Sequence, residues 1–136
     1  MAVNKILAQA CGEYLGSYSW DWYCILSFRN NVSPKMAFKT FNKWKVELKK
    51  AVNHRIEYVL FIEPTRNRDN IPHIHVLLKG VGEEKPYLWK RRWYSLAGNA
   101  IIKRYDPELG ASYYLGNKML SDKVSVVFSK NLRSSA

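Results

Sequence analysis

A chain of 136 residues is long enough for one domain with a real core and too short for two. Its 47% hydrophobic and 14% aromatic content excludes a disordered polymer. A formal charge of +11 points to polyanionic partners, nucleic acid before acidic membrane. No apolar run reaches membrane-spanning length and no secretory h-region opens the sequence, so no membrane association is expected. Cys11 and Cys24 fit neither a disulfide framework nor zinc-ligand spacing, which makes a reducing, cytoplasmic setting the expectation. There is no Gly-x-x-x-x-Gly-Lys-Ser/Thr run, so a P-loop ATPase is excluded.

Residues 1–136 read as a single domain, with 1–20 as a helical N-terminal extension and 131–136 as a polar tail. Val3 to Leu15 carries Ile6, Leu7, Ala10 and Tyr14 at helical spacing, and Gly16-Ser17 closes it. Trp22 to Arg29 is a strand by its β-branched and aromatic content, broken by Asn30-Asn31. Ser33-Pro34 is an N-cap followed by a first-turn proline. The helix after it places Ala37, Phe41, Trp44, Leu48 and Val52 on one stripe, with Lys35, Lys39, Lys43, Lys49 and Lys50 around the rest. That lysine face suits solubility first and phosphate contact second.

Tyr58 to Glu63 and His73 to Leu78 are apolar runs on either side of Pro64-Thr65-Arg66-Asn67-Arg68-Asp69-Asn70, the pattern of an antiparallel hairpin. Alternation along a strand sends His73 and His75 to one face and Ile74 to the other. Glu63 ends the partner strand, and a hairpin brings it beside them. Two imidazoles and a carboxylate on one face suit a divalent cation with positions left open. The same spacing also fits two strand histidines with no ligand. Economy favours the metal: the chain has three histidines, and two share a face with an acid across the turn. His54, in a lysine-rich stretch, reads as a solvated side chain.

Beyond the Gly80-Val81-Gly82 turn, Pro86 opens a short helix with Trp89 and Trp93 one turn apart and facing inward. Lys90, Arg91 and Arg92 then face outward, where they can meet a phosphate backbone; aromatics interleaved with cations also suit stacking on a single strand. Ala100 to Tyr105 is a short strand. Asp106-Pro107 repeats the cap-plus-proline signal ahead of a helix through Met119, which Gly110 and Gly116 weaken by roughly 1 kcal/mol each against Ala. Val124 to Ser129 is the last strand. Five strands and several helices describe an α+β fold, a sheet with helices on one side or both.

Three motifs in order then resemble the HUH endonucleases, the superfamily of DNA-nicking and joining enzymes that includes rolling-circle replication initiators, relaxases and some transposases. Cys24-Ile25-Leu26-Ser27-Phe28-Arg29 resembles the first, usually written with threonines, so Ser27 is a departure. His73-Ile74-His75 matches the His-hydrophobic-His motif, with Glu63 where many members place a third ligand. Ala111-Ser112-Tyr113-Tyr114-Leu115-Gly116-Asn117-Lys118 is similar to the tyrosine-bearing helix with its lysine one turn on. The likeness covers residues 22 to 130 and is nearest to small replication-initiator (Rep) proteins of phages, viruses and plasmids. It also takes in the Trp93 region, Asp106-Pro107-Glu108 and Phe128 to Leu132.

The resemblance implies a central antiparallel five-stranded sheet and Mg²⁺ or Mn²⁺ held by Glu63, His73 and His75. It also implies a tyrosine nucleophile that forms a 5′-phosphotyrosine intermediate on single-stranded or hairpin DNA at an origin. A separate helicase and polymerase are implied, the protein itself is expected in the cytoplasm, that of the host cell if the source is viral, and a homodimer is left open. Lys118 lies one turn from Tyr114, whereas Tyr113 is about 100° round the helix, which favours Tyr114 with Tyr113 as the alternative nucleophile. Arg29, Arg66, Arg68, Lys90, Arg91 and Arg92 are the expected DNA contacts. Three other readings remain: a HUH-type transposase, a DNA-binding module without cleavage, and a metal-dependent oxygenase or hydrolase. The last explains neither the charge nor the two histidines on one strand.

Overall fold

The computed structural model describes residues 2–63, 71–109, 115 and 124–129. The helices are α1 (Ala2–Gly16), α2 (Pro34–Val52) and α3 (Pro86–Leu96). The strands are β1 (Trp22–Ser27), β2 (Glu57–Glu63), β3 (His73–Lys79), β4 (Ala100–Arg104) and β5 (Ser125–Phe128). They form one sheet in the order β4-β1-β3-β2-β5, antiparallel at every junction. This is an α+β fold with a central antiparallel five-stranded sheet flanked by helices, as the sequence predicts. No helix among the described residues is long and apolar enough to cross a membrane.

One face of the sheet carries Trp22, Cys24, Leu26, Tyr58, Leu60, Ile62, Ile74, Val76 and Leu78, all buried under α2 and α3. The predicted stripe of α2 supplies Ala37, Phe41, Trp44 and Leu48, each fully buried, while the five expected lysines are exposed. Ser33 caps α2 by accepting a hydrogen bond from the Met36 amide at 3.1 Å, with Pro34 in the first turn. Trp89 and Trp93 meet Trp44 edge-on at 6.2 and 6.1 Å between ring centroids, so the inward pairing expected of them holds. Burial pushes the Cys24 thiol well above its usual range, which keeps it protonated and inert.

The sheet's other face has a smaller core. Val59, Phe61 and Leu77 are buried there against Leu15, Tyr18, Trp20 and Leu115. The Trp20 indole N–H donates to the Leu15 carbonyl at 2.7 Å, which folds the segment after α1 down onto the strands. Leu15, Tyr18 and Trp20, at the end of the N-terminal stretch, are therefore part of this core. Beyond Ser27 the chain still runs beside the segment that leads into β4: the Arg29 amide donates to the Ala97 carbonyl at 2.8 Å. There Gly98 touches the Ser27 carbonyl so closely that a Cβ would strike backbone.

Asp106 does act as a cap, accepting from the Glu108 amide at 2.9 Å, but it opens a 3₁₀ turn over Pro107–Leu109. The expected helix beyond it lies outside the described residues except at Leu115, as do the hairpin loop at 64–70 and the tail at 131–136.

Candidate metal centre and nucleic-acid interface

Strand register builds the site. In the β2–β3 pair Glu63 stands directly opposite His73 and Phe61 opposite His75. In the β1–β3 pair Ser27 stands opposite His73 and Ile25 opposite His75. Cross-strand partners share a face, so Glu63, His73, His75, Ser27 and Tyr23 all lie on the face away from α2 and α3. The hairpin geometry expected for Glu63 is therefore present.

His75 is gripped from both neighbouring strands. Its Nε2 is 3.4 Å from Glu63 Oε2, and its Nδ1 is 3.1 Å from the Tyr23 hydroxyl. Both contacts are diagonal across a strand pair, within reach of long side chains. The His75 side chain is only 9% exposed and Glu63 19%, so the contact is largely shielded from water. His73 is half-buried, its ring centroid 5.7 Å from that of His75 and nearly perpendicular to it.

Tyr23 joins the candidate site through a contact that only the fold creates. Its hydroxyl can give a proton to Nδ1 of His75 or accept one from it. In the second arrangement the Nε2 lone pair is free to bind a cation, the usual way an outer hydrogen bond sets the tautomer of a metal ligand. The only sequence-level signal is a tyrosine second in the motif strand, and the β1–β3 register is needed to use it.

The donor set, two imidazoles and a carboxylate with no thiolate, fits a divalent cation of hard or borderline type. Among the described residues no three His, Cys, Asp or Glu side chains are gathered as a finished metal site. Closing one here needs side-chain movement alone, because Glu63 and His73 are already cross-strand neighbours with Cβ atoms about 4.5–5.5 Å apart.

Arg29 follows the same end of β1. Its guanidinium donates to the Tyr94 carbonyl at 2.6 Å and lies 5.2 Å from the Tyr94 ring centroid. Lys90 and Arg91 are exposed on α3, as expected. Arg92 is exposed too, but its guanidinium holds both carboxylate oxygens of Glu47 at 2.7 Å. Arg66, Arg68, Tyr113, Tyr114 and Lys118 lie outside the described residues. His54 is exposed, as its surroundings suggested.

No family model and no curated protein matches the chain. Among solved structures it is similar to the N-terminal nuclease domain of non-structural protein-1 of minute virus of mice, at 12% identity and a TM-score of 0.39. The match covers 93% of this chain and 75% of that one. That domain is described as having an unusual Zn²⁺ coordination in its active-site pocket and a novel mode of DNA recognition at the replication origin. A likeness this loose carries no function across.

Proposed function

We propose that the protein is a metal-dependent enzyme that nicks and joins single-stranded DNA through a tyrosine, initiating rolling-circle replication. The observation that carries this reading is the pairing of Glu63 with His73 and His75 on the sheet face away from α2 and α3, at the end of β1 where Arg29 emerges. A second support comes from Leu115, which follows the candidate nucleophile Tyr114 in sequence. It is fully buried on that same face against Val59, Phe61 and Leu77.

In this reading Glu63, His73 and His75 would hold Mg²⁺ or Mn²⁺, which would supply positive charge to offset that of the scissile phosphate. Tyr23 orients His75 from behind. The Tyr114 oxygen forms a bond to phosphorus and the 3′-oxygen leaves, giving a 5′-phosphotyrosine and a 3′-hydroxyl that can prime synthesis. The phenolic proton goes to solvent and the leaving oxygen is protonated. Lys118 offsets charge on the phosphate. Attack by a 3′-hydroxyl reverses the step and joins strands. Arg29, Arg66, Arg68, Lys90, Arg91 and Arg92 contact the DNA backbone; Arg92 brings the Glu47 charge with it, so its share is the smallest.

The test is covalent adduct formation on a single-stranded oligonucleotide with Mn²⁺, resolved on a denaturing gel. Tyr114→Phe should abolish the adduct and Tyr113→Phe should retain it. The reverse pattern moves the nucleophile to Tyr113. Adduct in both variants, or full adduct formation in EDTA, overturns the mechanism.

A further inference from the structure

A cavity of ≈ 400 Å³ opens between α3 and the start of β4, lined by Lys90, Arg91, Tyr94, Ser95, Asn99 and Ala100. We infer that it holds one nucleotide of a single DNA strand, the base stacked on Tyr94 and a phosphate set against Lys90 and Arg91. Its role depends on the DNA reading above and adds a binding subsite, with Tyr94 and Asn99 as contacts that reading does not name.

Tyr94 is the first reason. The residue is 60% exposed, although Trp93 beside it is fully buried. An exposed aromatic face is a surface on which a base of a single strand can stack. The ring's helix is also tied to the segment just past β1, through the Arg29 hydrogen bond to the Tyr94 carbonyl, and the Arg29 guanidinium lies against the ring at 5.2 Å. An aromatic ring backed by a cation is a prepared stacking surface for a base of any sequence.

Charge is the second. Among the described residues Lys90 and Arg91 make no ion pair, whereas Arg92, the next residue, is committed to Glu47. Lys90 is one helical turn before Tyr94 and Arg91 one turn before Ser95, so both cations and both pocket residues rise from one side of α3. The exposed Asn99 amide adds a donor and an acceptor at the rim, suited to a base edge.

Size and place agree. The volume is at the lower end of the ~300–1,000 Å³ usual for small-molecule sites, room for one nucleotide rather than a strand. The Asn99 carbonyl accepts from the Ser27 amide at 2.8 Å, and Ser27 stands opposite His73. The pocket and the histidines are therefore at the same end of the sheet, where β4 and β3 are two strand spacings apart in the sheet plane, ~10 Å, with α3 over one face and the imidazoles on the other. A strand crossing that end can reach both.

The experiment is fluorescence anisotropy of a labelled single-stranded oligonucleotide in EDTA, which separates binding from cleavage. Tyr94→Leu should weaken binding about tenfold and Tyr94→Phe should match the wild type, as a stacking role requires. Arg91→Gln should lower the slope of log affinity against log salt by ~0.7, the loss of one phosphate contact. Tyr94 and Arg91 are exposed, so both chains should fold, and circular dichroism verifies it. If the wild type binds DNA while Tyr94→Leu and Arg91→Gln match it in affinity and salt slope, the pocket is overturned and the DNA reading stands. If the wild type has no affinity for DNA, both fall.

Discussion

The two faces of the sheet are made by alternate residues of the same strands, yet they are finished in different ways. The face under α2 and α3 is apolar along β1, β2 and β3, and three of its indole N–H groups end on protein oxygens: Trp44 on the Trp89 carbonyl, Trp93 on the Ser27 carbonyl, Trp89 on Glu84. The opposite face is divided. Its middle is sealed by Leu15, Tyr18, Trp20 and Leu115, and its end carries Ser27, Glu63, His73 and His75. Stability therefore resides mainly on one face and polar chemistry on the other. A mutation on either face should be felt on that face first.

The largest expected effect tests this separation on the packed side. Trp44 is fully buried between two other indoles, and Trp44→Ala removes its volume and leaves the Trp89 carbonyl without its donor. The loss should be about 3–5 kcal/mol of unfolding free energy, read from urea titration. Mn²⁺ affinity of the fraction that remains folded, measured by calorimetry, should not change. A loss below about 1 kcal/mol, or a matching collapse in metal affinity, would show that the two faces are coupled.

A smaller effect is expected on the other side. Tyr23→Phe keeps the ring and deletes only the hydroxyl 3.1 Å from His75 Nδ1. Stability should fall by no more than about 1.5 kcal/mol, the net worth of one hydrogen bond. Mn²⁺ affinity should drop ~10–100-fold, because the imidazole loses the partner that fixes its tautomer. Unchanged affinity would remove Tyr23 from the site.

What the sequence made legible follows from which distances are local. Ser33-Pro34 and the α2 stripe are local signals and survive intact. The Glu63–His73 pairing was legible too, because a hairpin joins neighbouring segments. Tyr23 and His75 are 52 residues apart, and nothing in a sequence prints the register of β1 on β3. Strand β2 is buried at six consecutive positions, since both its faces are covered, so no alternation announced which face it shares with the histidines. Trp20 went unread because its place in the second core depends on a turn closed by the Leu15 carbonyl. Arg92 looked like one of three equivalent cations until α2 supplied Glu47 from 45 residues away.

That last pair gives the smallest expected effect and sharpens the comparison, since it lies on the stabilising side yet works by charge rather than packing. Hydrogen bonds from Arg92 come first among the causes that hold the Glu47 carboxyl below the usual carboxylate range. A carboxyl whose folded pKa lies below its unfolded value adds stability that is fully present above the unfolded value, about 4.3 for Glu. It is lost as pH falls through the depressed folded value. Wild type should therefore exceed Arg92→Gln in urea midpoint by a constant margin from pH 7 to about pH 5, and the margin should close in stronger acid. Both groups are exposed, so the margin should also shrink in high salt and stay well below the Trp44→Ala loss. A margin that widens in acid would contradict the depressed carboxyl. One that rivals the loss of Trp44 would mean that the helix layer is held by charge as much as by its indoles.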